Sequence, residues 1–304
     1  MNMKRLYLAL TLACALPFLA RGAQAGWSAA QITNNSANDL QPALNNGQIA
    51  WRGHDGNDFE IYFWNGTSTV QITSNSSDEY RPSLDNGQIA WKGRDGSDWE
   101  IYFWNGTAIS QITDNTVLDM GPSLSNGKIA WETWDKVNRA NQQVADIVYW
   151  DGSAISRITD NTVNDWGASL HNGQMAWQGW DGYDWEIYFW DGSKVVQITN
   201  NAIDDRSPSF HNGAIAWEAG TGDDWNIYYW NGSAISQITS DNGKKGALSL
   251  FNGTIAYQSR DGNDYELYFW DGSTITQVTN NTKDDKVSFF IRQPDSLAGM
   301  GRLR

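Results

Sequence analysis

One unit of about 40 residues, repeated six times, makes up nearly the whole sequence. One copy lies between Asn86 and Thr113 and reads NGQIAWKGRDGSDWEIYFWNGTAISQIT. Its Ile-Ala-Trp segment recurs in the other copies, with Met175 in place of Ile in one of them, and the aromatic residue that ends it is Trp51, Trp91, Trp131, Trp177, Trp217 or Tyr257. Because a fixed period of this length is typical of arrays of one supersecondary unit, the fold must be one that such a unit builds by stacking.

Within one unit, four short apolar runs are separated by turn signals. The runs are predicted as strands and lie at Pro82–Leu84, Gln88–Trp91, Glu100–Trp104 and Ala108–Thr113. Asn-Gly or Asp-Gly falls in each turn between them, and these pairs indicate hairpins because both residues accept a positive φ. The third run is apolar at nearly every position, which predicts a strand covered on both faces.

A four-stranded antiparallel sheet packed between two similar sheets is the blade of a β-propeller. Six copies therefore predict an all-β, six-bladed propeller over residues 26–291. The segment Trp27–Thr33 reads WSAAQIT and copies a fourth strand, so we expect it to close the ring from the N-terminus. Residues 292–304 are expected to form a poorly ordered tail.

The N-terminus has the pattern of a secretory signal peptide, predicted over residues 1–25. Lys4 and Arg5 precede an apolar run from Leu6 to Ala20, and Ala23-Gln24-Ala25 supplies a small-residue cleavage site. Cleavage near Ala25 predicts an extracytoplasmic protein, either periplasmic or at the cell surface. No second apolar run is long enough to span a bilayer.

The chain is acidic, with a formal net charge of −14. The predicted signal contains basic residues and no acidic one, so its removal makes the protein more acidic still. Because an acidic surface repels phosphate, nucleic acid and anionic lipid are both disfavoured as partners.

The order of Pro82, Ile89-Ala90-Trp91, Asp95-Gly96, Ile101-Tyr102 and Gln111-Ile112-Thr113 resembles the repeat of TolB-type propellers, which are relatives of the WD-repeat. The resemblance covers residues 27–285 and implies an extracytoplasmic propeller that serves as a protein-interaction platform. Two features depart from that family. The extra N-terminal α/β domain of TolB is absent, and turns such as Leu84-Asp85-Asn86-Gly87 replace the family's Ser-Pro-Asp-Gly turn.

The six copies differ from one another mainly on one face of the predicted disc. The first-to-second and third-to-fourth turns are nearly uniform and lie on one face, whereas the second-to-third turns and the blade connections diverge and lie on the other. A repeat protein diversifies where it binds. We call the divergent side the candidate face, and its predicted site residues are Tyr80, Arg81, Arg94, Trp134, Trp166, Trp180, Arg206, Asp39, Asp119, Asp165 and Asp205.

The aromatic residues of the candidate face allow two interpretations. Trp134, Trp166 and Trp180 could stack on sugar rings, or they could pack internally as the framework tryptophans do. Trp99, Trp185 and Trp225 align with Phe59 and Tyr265 and are assigned to packing. The partner is therefore expected to be a protein or a glycan.

The acidic residues recur in the blade connections and in Asp-Gly-x-Asp turns such as Asp95 to Asp98. Calcium prefers several oxygen ligands, which such turns could supply. Aspartate beside glycine also accepts hydrogen bonds from its own turn. The second interpretation is favoured, so no metal and no cofactor is expected.

No motif for nucleophilic or metal-dependent hydrolysis is present. Paired carboxylates are numerous, and a glycosidase needs two, but their recurrence in nearly every blade makes them unspecific. The sequence therefore predicts a non-catalytic propeller that acts as a protein-interaction or surface scaffold. A carbohydrate-binding, lectin-like propeller is the alternative, and a propeller glycosidase is the least supported.

Overall fold

A computed structural model of the chain describes residues 6–10, residues 28–285 except 97, 139–142, 242, 261 and 263, and residues 301–303. Six sheets, each of four antiparallel strands, follow one another along the chain. Each sheet corresponds to one repeat, and the sheets form a ring. The predicted all-β, six-bladed propeller is therefore confirmed.

Every blade takes its four strands in sequence order. Blade 1 consists of β3 (Asp39–Asn45), β4 (Gln48–His54), β5 (Phe59–Trp64) and β6 (Thr69–Gln71). Blade 2 consists of β7 (Glu79–Asp85), β8 (Gln88–Arg94), β9 (Trp99–Trp104) and β10 (Ile109–Gln111). Blade 3 consists of β11 (Leu118–Ser125), β12 (Lys128–Val137), β13 (Gln143–Trp150) and β14 (Ile155–Arg157).

The second half of the ring repeats this arrangement. Blade 4 consists of β15 (Asp165–His171), β16 (Gln174–Trp180), β17 (Trp185–Trp190) and β18 (Val195–Gln197). Blade 5 consists of β19 (Asp204–His211), β20 (Ala214–Thr221), β21 (Asp224–Trp230) and β22 (Ile235–Gln237). Blade 6 consists of β23 (Lys245–Phe251), β24 (Thr254–Arg260), β25 (Tyr265–Trp270) and β26 (Ile275–Gln277).

The Asn-Gly pairs form the tight turns that the sequence predicts. Asn86 and Gly87 have φ values of 48° and 73°, and the corresponding pairs in the other five blades also have positive φ. Positive φ at both central residues twists a hairpin in the direction that its strands require. These turns fix the register of the first two strands in each blade.

The core lies between neighbouring blades. Trp91 of blade 2 is 1% exposed and stacks on Tyr102 with ring centres 5.9 Å apart. Ile101 and Phe103 of the same blade pack against Trp131 of blade 3. Complete burial of such a side chain contributes roughly 1.5–3 kcal/mol, so contacts between blades are a principal source of stability.

The ring does not close as the sequence predicts. Ser28–Gln31 (β2) pairs with Leu6–Leu10 (β1), which also pairs with Gly301–Leu303 (β27) in a separate three-stranded sheet. The expected closure by Trp27–Thr33 is therefore wrong in its pairing, and Trp27 lies outside the described residues. The physical reason is that the sixth repeat supplies its own fourth strand, so blade 6 lacks no strand for the N-terminus to replace.

Apolar clusters of buried residues join each blade to the next from blade 1 to blade 6. On the side of blade 1 that faces away from blade 2, a cluster contains Leu44, Ile49 and Trp51 with Ile32. None of its members comes from blade 6. Among the described residues, the junction of blades 6 and 1 therefore lacks the apolar cluster found at the other five. We call this junction the seam.

Most of the predicted signal peptide and of the C-terminal tail lies outside the described residues. Within the described part, all regular elements are strands. Accordingly, that part contains no helix long and apolar enough to cross a membrane.

Candidate functional site

The blade connections and the second-to-third turns meet on the candidate face. The carboxylate of Asp78, in the connection after blade 1, accepts a hydrogen bond of 2.9 Å from the backbone of Phe59. Tyr80, at the start of blade 2, places its ring edge-on to Trp99 of the same blade with ring centres 5.1 Å apart. Residues of the blade connections and residues next to the second-to-third turns are thus close in space.

The four aspartates predicted as site residues are buried framework groups. Asp39, Asp119, Asp165 and Asp205 are 1–4% exposed. Each accepts a hydrogen bond from the indole nitrogen of the Ile-Ala-Trp tryptophan in its own blade, with lengths of 2.5–2.9 Å. They connect the first strand to the second, and the structure does not place them on the exposed surface.

Blade 6 lacks both members of this pair. Tyr257 replaces the tryptophan, and Lys245 replaces the acid. Lys245 is 2% exposed and donates to the backbone carbonyl of Asp241 at 2.6 Å. Because the acid and its indole donor are lost together, the acid is explained by the hydrogen bond it accepts.

The predicted site tryptophans do come together, in blades 3 and 4. Trp166 stacks on Trp185 with ring centres 5.3 Å apart and an interplanar angle of 25°. Trp134 and Trp180 contact this pair edge-on, at 6.3 Å from Trp166 and 5.5 Å from Trp185. We call these four residues the tryptophan cluster.

The tryptophan cluster is open to solvent at its centre. Trp166 is 39% exposed, so part of its ring surface is accessible to a ligand. The indole nitrogen of Trp134 is buried and has no hydrogen-bond partner. A flat exposed ring beside an unused donor suits a ligand that offers an apolar face and an acceptor.

A second group lies on blades 1 and 2, where cations alternate with aromatic rings. The guanidinium of Arg52 is 4.2 Å from the centre of the Phe59 ring and 4.0 Å from that of Tyr80. The ammonium of Lys92 is 4.3 Å from the Trp99 ring, over which the guanidinium of Arg94 also lies at 4.8 Å. We call Phe59, Arg52, Tyr80, Lys92, Trp99 and Arg94 the cation–aromatic row.

Two cations of this row, Arg52 and Lys92, occupy a position that has a structural role in other blades. At the same position, blades 3 and 4 carry Glu132 and Gln178, whose side-chain oxygens accept hydrogen bonds of 2.7 Å from the backbones of Gly167 and Ser207 in the next blade. Arg52 and Lys92 cannot accept such a bond. Folding therefore explains the acceptors in blades 3 and 4 but not the cations in blades 1 and 2.

The cations also lack a directly paired acid among the described residues. Within the described part of the chain, Arg52, Lys92 and Arg94 form no salt bridge, and two nitrogens of Arg52 are buried without a hydrogen-bond partner. Burial lowers the pKa of Lys92 to about 8, and the charge of Arg81 acts in the same direction, whereas the carboxylate of Glu132 opposes the shift. Three cations therefore lie together on the candidate face of this acidic protein.

The remaining predicted arginines lie near these two groups. Arg81 is exposed and lines a cavity of 450 Å³ between the first strands of blades 1 to 5, which also contains Glu132. Arg206 forms a salt bridge of 2.6 Å with Asp204 and lies 5.3 Å over the ring of Trp225. Arg81 is therefore available to a ligand, whereas Arg206 already has an acidic partner.

Three second-to-third turns each gather three carboxylates. The triads are Asp55, Asp58 and Glu60 in blade 1, Asp95, Asp98 and Glu100 in blade 2, and Asp181, Asp184 and Glu186 in blade 4. The first aspartate of a triad accepts turn hydrogen bonds, as Asp55 does from the backbones of Asn57 and Asp58. The predicted turn chemistry is thus present, but it does not explain the glutamates.

Arg52, Lys92, Phe59, Trp99 and Trp185 were not among the predicted site residues. The signal for Arg52 and Lys92 lies in the repeat itself, because the position after the second-strand aromatic changes from base to acid or amide between blades. The three aromatic residues align with one another and read as packing positions. They do pack, and they are also members of the two groups described above: Phe59 and Trp99 of the cation–aromatic row, and Trp185 of the tryptophan cluster.

The fold and this face define the class as a six-bladed β-propeller with a diversified face. Three solved structures show the fold. The β-propeller domain of the Trilobed protease from Pyrococcus furiosus, described as having an open velcro topology, matches with a TM-score of 0.65 at 14% identity over 84% of each chain. An acylaminoacyl peptidase matches with a TM-score of 0.64 at 13% identity, over 84% of this chain and 46% of its own. TolB from Acinetobacter baumannii matches with a TM-score of 0.50 at 14% identity, over 79% of this chain and 64% of its own.

No protein-family model and no curated protein sequence matches this chain. At identities this low, the structural similarity establishes the fold and leaves the function to be argued from the site.

Proposed function

We propose that this chain is a non-catalytic, extracytoplasmic propeller that binds a protein partner through its candidate face. The observation that carries the proposal is the exchange of structural acceptors for cations without a salt bridge at Arg52 and Lys92. Retaining a buried cation where a glutamine would complete a hydrogen bond costs stability. A binding role for the cations accounts for that cost, since functional positions commonly sacrifice stability.

The chemistry of the face indicates an acidic partner segment. The cation–aromatic row offers three positive groups together with the rings of Phe59, Tyr80 and Trp99, and aromatic residues with arginine are typical of binding hot spots. Arg81 adds a further cation at the central cavity. The resemblance of the repeat to TolB-type propellers supports a protein-interaction role in the same direction.

The test compares two doubly substituted variants that lose equal charge. Lys92→Gln with Arg94→Gln alters the candidate face, whereas Lys128→Gln with Lys194→Gln alters the uniform face. Wild type and both variants are immobilised and exposed to an envelope extract of the source organism, and captured proteins are quantified by mass spectrometry. We expect a partner that the wild type and the Lys128/Lys194 variant retain, and that the Lys92/Arg94 variant loses at least about tenfold, which corresponds to 1.4 kcal/mol.

Salt dependence provides the second readout. Because the attraction is between charges at a surface, the affinity of the purified partner for wild type should fall as ionic strength rises. Identical capture by all three proteins, or an affinity independent of salt, would contradict the proposal.

Carbohydrate binding is a second candidate, favoured by the exposed ring of Trp166 and the unused donor of Trp134. A glycan array with wild type, Trp166→Ala and Tyr183→Ala tests it. Tyr183 is 89% exposed on the neighbouring turn of the same face and serves as the matched aromatic control. Binding that Trp166→Ala loses and Tyr183→Ala retains would establish the lectin-like role, and no binding by wild type would exclude it for the glycans on the array.

A further inference from the structure

The acidic triads contain carboxylate oxygens that the protein itself leaves unsatisfied. In blades 1, 2 and 4, one oxygen from each of the three acids lies within 4.8 Å of the other two. Glu60, Glu100 and Glu186, the third members of the triads, are 0% exposed. A buried carboxylate is strongly unfavourable unless a positive group or several donors accompany it.

Each of these glutamates is satisfied on one oxygen only. Oε1 accepts a hydrogen bond of 2.7–2.9 Å from the backbone of an asparagine in the following blade connection, Asn75, Asn115 or Asn201. Oε2 is buried and has no partner in any of the three blades. In all three triads, the unpartnered oxygen therefore lies among other carboxylates. A bound cation would stabilise the charged carboxylate there, and the alternative to a cation is a bound proton.

In blade 3, the side chains of the protein itself supply cations at the position that corresponds to these glutamates. Asp146 occupies the glutamate position and is likewise 0% exposed. Its Oδ2 pairs with Lys136 at 2.8 Å and with Arg157 at 2.7 Å. Lys136 belongs to the extended hairpin that replaces the Asp-Gly-x-Asp turn, and Arg157 stands where blades 1, 2 and 4 have glutamine.

Blade 5 shows the other way to avoid the unfavourable charge. Asn226 replaces the glutamate, so the position is neutral, and its amide donates to Asp224 at 3.2 Å. The position thus carries a carboxylate with two built-in cations, a neutral amide, or a carboxylate in an acidic triad. The acidic triads of blades 1, 2 and 4 therefore lack the positive charge that Lys136 and Arg157 provide in blade 3.

We propose that the turns of blades 1, 2 and 4 each bind a calcium ion through their three carboxylates. Calcium binds carboxylate oxygens at 2.3–2.6 Å, so two ligands of one ion can lie up to about 5 Å apart, which the triads satisfy. The ion would occupy the place that Lys136 and Arg157 fill in blade 3. Because calcium takes six to eight ligands in flexible geometry, water completes its shell.

Blade 6 repeats the same sequence pattern. Its turn reads DGNDYE, and Glu266 is 0% exposed with Oε2 unpartnered. Asp261, the first acid of this turn, lies outside the described residues.

Calorimetric titration of the purified protein, stripped with a chelator, measures the stoichiometry directly. We expect at least three calcium ions per chain. The variant with Glu60→Gln, Glu100→Gln and Glu186→Gln should lose all three of these sites. Asp223→Asn, in the blade 5 turn that lacks the glutamate, should keep the wild-type stoichiometry. Absence of calcium binding by wild type, or unchanged binding in the triple variant, would overturn the proposal.

Thermal unfolding separates metal binding from a purely structural role. Glutamine keeps the hydrogen bond from the asparagine backbone but removes the buried charge, so the triple variant should melt above wild type in chelator. In 5 mM calcium the order should reverse, with wild type gaining at least about 5 °C and the variant little. If calcium shifts both proteins equally, the proposal fails, and an equal response of wild type to magnesium would refute the assignment to calcium.

Discussion

Trp177 donates an indole hydrogen bond of 2.9 Å to Asp165, twelve residues earlier in the same blade. Asp165 also accepts 2.6 Å from the side chain of Asn161. Both Trp177 and Asp165 are buried, so the pair fixes the start of the blade against its second strand. Four other blades carry an acid and a tryptophan at these two positions, and the sixth blade has neither.

Asp165→Ala should therefore destabilise the propeller by about 2–4 kcal/mol, because it leaves the buried indole N–H of Trp177 without an acceptor and creates a small cavity. Chemical denaturation measures this loss. Asp223→Ala, in an exposed turn, is the control and should change the unfolding free energy by less than about 0.5 kcal/mol. A loss no larger at Asp165 than at Asp223 would show that the pair is not structural.

Glu218→Gln should give a stability gain that depends on pH. Burial raises the pKa of Glu218 from 4.5 to about 7. The folded chain therefore holds its proton at pH values where the unfolded chain has released it, so the folded state loses relative stability as pH rises from 4.5 through 7. Glutamine already occupies the same position as Gln178 in blade 4.

We expect this substitution to be neutral near pH 4 and stabilising by about 1–3 kcal/mol at pH 8. Urea unfolding at the two pH values measures the difference. An equal effect at both would mean that the charge of Glu218 does not control stability.

Lys92→Gln should also stabilise the fold. The pKa of Lys92 is lowered to about 8, so the buried ammonium costs stability below pH 8, and the cost fades as pH rises toward 10.5. The expected gain is about 1–2 kcal/mol at pH 7 and less at pH 10. Denaturation at both pH values checks it, and a net loss at pH 7 would indicate that the packing of Lys92 on Trp99 outweighs its desolvation.

Gln111→Arg should transfer the blade 3 arrangement to blade 2. Gln111 has the same register relative to its third strand as Arg157, so an arginine there can approach Glu100. In chelator, the variant should be more stable than wild type by about 1 kcal/mol. Its calcium stoichiometry should fall by one site, and an unchanged stoichiometry would show that the arginine does not occupy the cation position.

Much of the fold could be predicted because the repeat encodes it locally. The Asn-Gly turns, the apolar third strand and the spacing of residues such as Trp91 and Trp131 each determine a short-range feature, and six copies reinforce one another. Ring closure could not be predicted in the same way. The pairing of Ser28–Gln31 depends on long-range competition between strands, and a copy of a fourth strand does not identify its partner.

The candidate site could be predicted only in part. Trp134, Trp166 and Trp180 all belong to the divergent turns and connections, and the structure brings them together around Trp185. Asp165 and its equivalents were assigned to the same face, but their position on it does not reveal that each side chain points inward to an indole. Lys92 was overlooked because it lies within a framework strand, where its charge has meaning only beside Tyr80 and Trp99.

The seam makes the ring energetically similar to a row. Ala256 of blade 6 is half-buried, whereas Ala216 at the matching position of blade 5 is buried. In a closed circle of equal contacts no unit is terminal, but among the described residues blades 1 and 6 each have one well-packed neighbour. By the nearest-neighbour logic of repeat arrays, opening starts at these two blades and spreads inward. Amide hydrogens of blades 3 and 4, which carry the tryptophan cluster, should therefore exchange most slowly.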